Sequence, residues 1–143
     1  MAFNIRVYGI LINDKNEVLL SDESRFGKKF TKFPGGGLEQ GEDLKDCLKR
    51  EFVEELQLEV EVGDLIYLTD FFQQSAFNEN DQIISVYYHV YTPLTSKIET
   101  VNTPFNFKSG NQEVHRWVAL EDLRKDDVTF PIDKKVVGVL MEE

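Results

Sequence analysis

Apolar and polar positions along the chain change period several times, and each change predicts an element. Residues 3–12 are rich in β-branched and aromatic side chains and read as a strand, followed by the turn chemistry of Asn13-Asp14-Lys15-Asn16. Glu17–Ser21 then reads as the return strand of a hairpin, and the polar, basic run from Asp22 to Lys32 as a loop. Pro34-Gly35-Gly36-Gly37 carries residues that regular elements do not tolerate. Residues 43–56 contain neither Gly nor Pro and read as a helix, with Glu42 and Asp43 suiting its N-terminal dipole. Beyond it, 58–74 reads as strand, broken or bulged at Gly63, and Asn78–Asp81 as a turn. Ile83–Tyr91 is a further strand, and Thr92–Gly110 a polar loop long enough to suggest function. Val114–Ala119 is strand-like, and Pro131–Met141 is a closing helix with proline in its first turn. This order predicts the α/β class, a mixed sheet between helices.

The helix carries an unusual face. With Glu51 at zero on a wheel of about 100° per residue, Leu44 falls near 20°, Cys47 near 320° and Leu48 near 60°. Glu54 falls near 300° and Glu55 near 40° on the same wheel, so the apolar face of the first turns becomes three carboxylates in the last two. Like charges at i, i+3 and i+4 repel and weaken a helix unless something compensates. A hard divalent cation compensates well, because it takes oxygen ligands from clustered carboxylates. Taken alone, the three acids fit an ordinary solvated face equally well.

Composition narrows the choice. The chain has 143 residues, the size of one domain, so 1–143 is expected to form a single domain. Sixteen Lys+Arg against 26 Asp+Glu leave a formal charge of -10, no footprint for a nucleic-acid backbone binder. Phosphate substrates then require metal ions to reverse the local charge. A single cysteine excludes an internal disulfide and fits a reducing compartment. The first residues show no basic stretch ahead of an apolar core, and the longest clean apolar stretch is Ile10-Leu11-Ile12, far below a membrane span. A cytoplasmic protein without membrane partners is expected. A homodimer is plausible through the apolar strands near both ends.

The segment Gly36–Leu58, GGLEQGEDLKDCLKREFVEELQL, changes the weight of the carboxylates. It resembles the Nudix hydrolase box, G-x5-E-x7-R-E-U-x-E-E-x-G-U, with U a bulky aliphatic residue. Gly36, Glu42, Arg50, Glu51, Glu54, Glu55 and Leu58 stand at the required spacing, and Phe33-Pro34-Gly35-Gly36 is similar to the family's approach segment. Two positions depart: Phe52 where an aliphatic residue is usual, and Gln57 in place of the late glycine. A glycine there would suit a left-handed cap, and another residue pays roughly 1–2 kcal/mol for that conformation. Gln57 is therefore expected to let the helix run on or end differently.

The resemblance implies a Nudix-like α/β/α sandwich with a central mixed β-sheet. It also implies a divalent-metal-dependent pyrophosphohydrolase acting on a nucleoside diphosphate linked to another group. Glu51, Glu54 and Glu55 are the implied ligands of Mg²⁺ or Mn²⁺, with the carbonyl of Gly36 as a further oxygen. Glu42 either ligates through water or pairs with Arg50. For Arg50, an ion pair with Asp46 or Glu54 weighs as much as a catalytic duty. The base is a box glutamate, Glu54 or Glu51, or an acid on a later loop, for which Glu113 is the candidate. Arg25, Lys28, Lys29 and Lys32 are candidates for phosphate contacts, and Phe30, Phe77 and Tyr87 for stacking on a base, Arg25, Lys32 and Phe30 being preferred. His89 and His115 read as structural, Trp117 as core, and Cys47 as a small buried hydrophobe.

Nucleotide sugars such as ADP-ribose compete as substrates with nucleoside triphosphates and dinucleoside polyphosphates. The proline or tyrosine that marks some subfamilies beyond the box is missing from Gln73-Gln74-Ser75-Ala76. The alternative is a module of the same fold that senses a nucleotide without cleaving it. A third branch, the isopentenyl-diphosphate isomerases, needs a reactive cysteine, and Cys47 faces the apolar side of the helix.

Overall fold

A computed structural model describes residues 2–142. The elements in chain order are β1 (Ala2–Leu11), β2 (Glu17–Arg25), β3 (Lys28–Lys32), β4 (Gly35–Gly37), α1 (Leu44–Leu56), β5 (Glu61–Leu68), β6 (Asp81–Tyr91), β7 (Glu113–Ala119) and α2 (Pro131–Met141). The class is α/β, as the alternation of periods predicts. Two compact units share the chain: one holds the residues up to Ile10 with Gly35–Thr92, the other Leu11–Pro34 with the chain from Pro93 on.

The first unit is built on a sheet of order β4-β1-β6-β5. β4 runs antiparallel to β1 and β5 antiparallel to β6. The Ala2 N–H donates to the Asn80 carbonyl (3.2 Å), so β1 and β6 start side by side and run the same way, which makes the sheet mixed. In β5 the register slips on either side of Leu65, a bulge beside Gly63 as the sequence predicts. α1 is capped by Asp43, whose side chain accepts the Asp46 N–H at 2.7 Å. The helix buries Cys47, Leu48 and Phe52. Phe52 fits because β1 carries Gly9: a Cβ there would stand 2.7 Å from its ring and 3.1 Å from Val90. The bulky residue of the box and the isolated glycine of the strand are thus one packing solution.

The second unit holds an antiparallel sheet of order β3-β2-β7 and α2, which begins at Pro131 as its sequence predicts. Its apolar side chains include Val18, Leu19, Leu20, Val114, Val136 and Val137, all buried.

Four local expectations are corrected. β1 and β2 do not form a ladder: beyond the turn they share only the Ile12–Val18 bridge, and β2 pairs with β3 and β7 instead. The run Asp22–Lys32 is not a loop but a two-residue hairpin, turned at Phe26 (φ 53°) and Gly27 (φ 75°). Its polarity misleads because the charges are paired within the sheet. The glycine triplet is a short strand, with Arg6, Val7 and Tyr8 facing Gly37, Gly36 and Gly35. Gln57 neither extends nor redirects the helix: it takes the left-handed conformation (φ 49°, ψ 41°), and its N–H closes on the Val53 carbonyl at 3.0 Å. The buried Leu58 that follows anchors the cap.

Candidate active site

The box residues come together on the first unit because α1 lies against β4. At Gly36 a Cβ would fall 2.5 Å from the Glu51 carboxylate, so only glycine lets that carboxylate rest against the strand backbone. Glu51 is largely covered, Glu55 half-buried and Glu54 exposed, with 57% of its side chain open to solvent. The face predicted by the helical wheel is therefore graded from strand to solvent.

Arg50 sits at the centre of this face. Its Nε and Nη2 donate to the two Glu42 oxygens at 3.0 and 2.7 Å. Its Nη1 donates to Glu51 (3.0 Å) and Glu54 (3.1 Å), while Nη2 also reaches the Gly37 carbonyl at 3.0 Å. Of the two structural partners weighed for Arg50, it takes Glu54 and adds Glu51 and Glu42. Hydrogen bonding to Arg50, supported by the Glu39 N–H, holds the Glu42 carboxyl down at about 2. Glu42 is thus a charged partner of Arg50. The same bonds raise the guanidinium above its ordinary value.

Cys47 is fully buried, its thiol directed at the Gly37 carbonyl (3.5 Å). Burial, reinforced by Glu42, pushes it up to about 12, so it offers no thiolate nucleophile.

Most of the other candidates lie on the second unit. Of the three preferred for substrate, Arg25 is exposed and Lys32 and Phe30 are buried. Lys32 Nζ is held by Glu23 at 3.0 Å, and the Phe30 ring packs on Phe130 with centroids 5.2 Å apart. Tyr87, on the first unit, is likewise core, tilted against Tyr8, while Phe77 is exposed. Glu113 is half-buried on β7, 3.7 Å from His115 Nε2 and 3.9 Å from Arg25. His115 is buried as expected; burial, then the Lys32 charge, push its imidazole down to about 4, so it is neutral near pH 7. Trp117, read as core, is only half-buried.

Sequence reasoning missed the polar core beneath these residues. Asp22 is fully buried and accepts from the Thr31 hydroxyl (2.7 Å), Arg116 Nε (2.8 Å) and the Phe105 N–H (3.1 Å). Glu23 beside it accepts from Ser21 (3.1 Å) and Arg25 (2.9 Å) as well as Lys32. Burial alone would raise the Glu23 carboxyl, but Lys32 and Arg25 outweigh it and the net shift is downward. The available signal was the Phe26-Gly27 pair, a turn that would have placed the acids and Lys32 on facing strands.

The model of the NUDIX domain family matches residues 2–137. The chain belongs to the NUDIX domain family. It is 25% identical over 131 residues to the mouse protein "nucleoside diphosphate-linked moiety X motif 6", a match covering 91% of this chain and 38% of that protein. The chain thus spans well under half of that relative's length. Among solved structures it is similar to the MutT protein of Methanosarcina mazei Go1 (TM-score 0.69, 21% identity, 99% of this chain and 94% of that one). It is also similar to an ADP-ribose pyrophosphatase of Streptococcus suis (TM-score 0.56, 15% identity, 97% and 90%). These likenesses establish the Nudix fold. No helix among the described residues is long and apolar enough to cross a membrane.

Proposed function

We propose that residues 1–143 act as one Nudix domain that hydrolyses a phosphoanhydride bond in a nucleoside diphosphate linked to another moiety. The class includes nucleotide sugars such as ADP-ribose and nucleoside triphosphates. The observation that carries this reading is the graded face of α1, with the Glu51 carboxylate cradled by Gly36. A hard dication fits that donor set: Glu51, Glu54 and Glu55 would hold Mg²⁺ or Mn²⁺, with the Gly36 backbone as a further oxygen source. When bound, it supplies neutralisation of the phosphate oxygens and acidification of a water.

The chain's own residues do the rest. Arg50 sets the Glu51 and Glu54 carboxylates side by side through one nitrogen, which orients them before substrate arrives. Glu42, kept ionised, balances the Arg50 charge so that the guanidinium stays in place. Glu54 is the assigned proton acceptor because it combines a box position with solvent access, and Glu113 is the second candidate. Arg25 is the assigned phosphate contact, being exposed where Lys32 and Phe30 are not. The names of the mouse and Streptococcus proteins support a nucleotide substrate.

The test is a panel of nucleotides assayed with Mg²⁺ and Mn²⁺, with products identified by mass. Glu54→Gln is expected to lower metal-dependent turnover by about 10²-fold or more while melting is unchanged. Near-normal turnover in that variant would remove the box from the mechanism. Nucleotide binding indifferent to chelator, without phosphate release, would turn the assignment to a sensing module.

A further inference from the structure

Arg116 on β7 engages only one of its three side-chain nitrogens. Its Nε donates to Asp22 Oδ2 at 2.8 Å, and neither Nη has a hydrogen-bond partner among the described residues. A bidentate arginine–carboxylate pair would use two nitrogens and both oxygens. Here Asp22 Oδ1 is spent on the Thr31 hydroxyl (2.7 Å), and Oδ2 also accepts the Phe105 N–H (3.1 Å), so the second half of that pair is never made. The Arg116 side chain is only 10% exposed, yet its Nη nitrogens are not sealed from water. The guanidinium is thus fixed from behind and presents an unengaged fork of N–H groups. The chain between β6 and β7 frames that fork. The Val101 N–H donates to the His115 carbonyl at 2.9 Å, which lays this loop along β7 directly beside Arg116. Four residues later Phe105 reaches Asp22, and its half-buried ring tilts against that of Phe107, also half-buried, with centroids 6.2 Å apart. Alternation along β7 puts Arg116 on the face opposite Glu113 and His115, so the proposed hydrolysis leaves the fork unused.

We propose that Arg116 and the Phe105–Phe107 stretch form a binding site for a monocarboxylate with an apolar body. The planar fork matches the two oxygens of a carboxylate. Asp22 already balances the Arg116 charge, so a dianion would leave two uncompensated charges where a monocarboxylate leaves one. The two rings supply apolar contact for the rest of the ligand. Asp22 and Thr31 keep their role inside the sheet, and only the guanidinium tip meets the ligand. All the residues involved belong to the second unit, and the α1 carboxylates take no part, so the site stands apart from the hydrolase reading.

The experiment is a titration of ¹⁵N-labelled protein with benzoate, with acetate, benzyl alcohol and inorganic phosphate as separate probes. Benzoate is expected to shift the Arg116 Nε–H and the Phe105 and Phe107 amides saturably. Acetate, which lacks the body, and benzyl alcohol, which lacks the carboxylate, should each bind about tenfold more weakly. Arg116→Lys keeps a positive charge beside Asp22 but loses the fork, and should also bind benzoate about tenfold more weakly. Phe107→Ala leaves the Asp22–Arg116 pair untouched and should weaken benzoate severalfold, which decides the matter even if Arg116→Lys fails to fold. An Arg116 Nε–H that benzoate leaves unmoved would overturn the proposal. So would phosphate binding as tightly as benzoate, or wild-type benzoate affinity in Phe107→Ala.

Discussion

Two charged clusters, one on each unit, gather acids around an arginine and could hardly differ more in setting. Around Arg50 the acids are graded out to Glu54, more than half open to water. Around Asp22 and Glu23 all but the exposed Arg25 is enclosed: Asp22 is fully buried, and Lys32, Thr31 and Arg116 nearly so. The enclosed carboxylates spend their lone pairs on named donors within the sheet, whereas those on α1 keep faces turned to solvent. A cluster that must exchange partners, ion for guanidinium or substrate for water, has to stay wet. One that fixes strand pairing can be dry. On the proposed function, the difference separates chemistry from architecture although the residue types are the same.

The sharpest way to break this contrast is to remove one partner from each. Asp22→Ala leaves Arg116 charged without its carboxylate and strands the Thr31 hydroxyl and Phe105 N–H, an expected loss of about 3–5 kcal/mol in urea unfolding. Arg50→Gln leaves carboxylates that water can reach, and should cost about 1 kcal/mol. Equal losses in the two variants would mean that burial is not what distinguishes the clusters.

The same contrast governs what could be read from the sequence. The α1 cluster was legible because its acids recur within one helix, so spacing alone put Glu51, Glu54 and Glu55 on a common face, with Arg50 at its edge beside Glu54. The Asp22 cluster was not, because it closes through Arg116, 94 positions away, and a polar run looks like solvent-facing chain until its partners are known. The same blindness hid Lys32 and Phe30, whose burial depends on Glu23 and Phe130. Gly9 lay between: an isolated glycine in an apolar strand signals close approach, but only the structure says that Phe52 does the approaching.

Acid should act in two stages. His115 is pushed below its ordinary 6.5 to about 4, so the folded state binds its proton less readily than the unfolded chain. Its contribution is complete above about pH 6.5 and is lost as pH falls toward 4, roughly 3 kcal/mol over that window. Glu42 is also depressed, from 4.5 to about 2, so its contribution is present above 4.5 and disappears only on descent toward 2. Stability followed by urea unfolding from pH 7 to 2 should therefore fall in two stages, with His115→Gln removing the upper and Glu42→Gln diminishing the lower, to which the depressed Glu23 also contributes. A single fall below pH 4 that His115→Gln leaves untouched would contradict the burial argument.

The smallest effect concerns how the wet cluster ends. α1 places its carboxylates in the last two turns, so the geometry just beyond them bears on Glu54 and Glu55 directly. Gln57 holds the left-handed conformation there against its own Cβ, and the Val53 carbonyl and buried Leu58 compensate. Gln57→Gly removes the steric cost but gives the unfolded chain more freedom, so the two effects oppose each other. The conformational relief should win by about 0.5–1 kcal/mol, because the native φ lies where only glycine is unstrained. Thermal unfolding would then shift upward by a few degrees with metal-dependent turnover unchanged, since the proposed ligands Glu51, Glu54 and Glu55 keep their places. A destabilised Gln57→Gly variant would mean that the Gln57 side chain contributes contacts worth more than the strain, and the cap would have to be counted as part of the cluster's support.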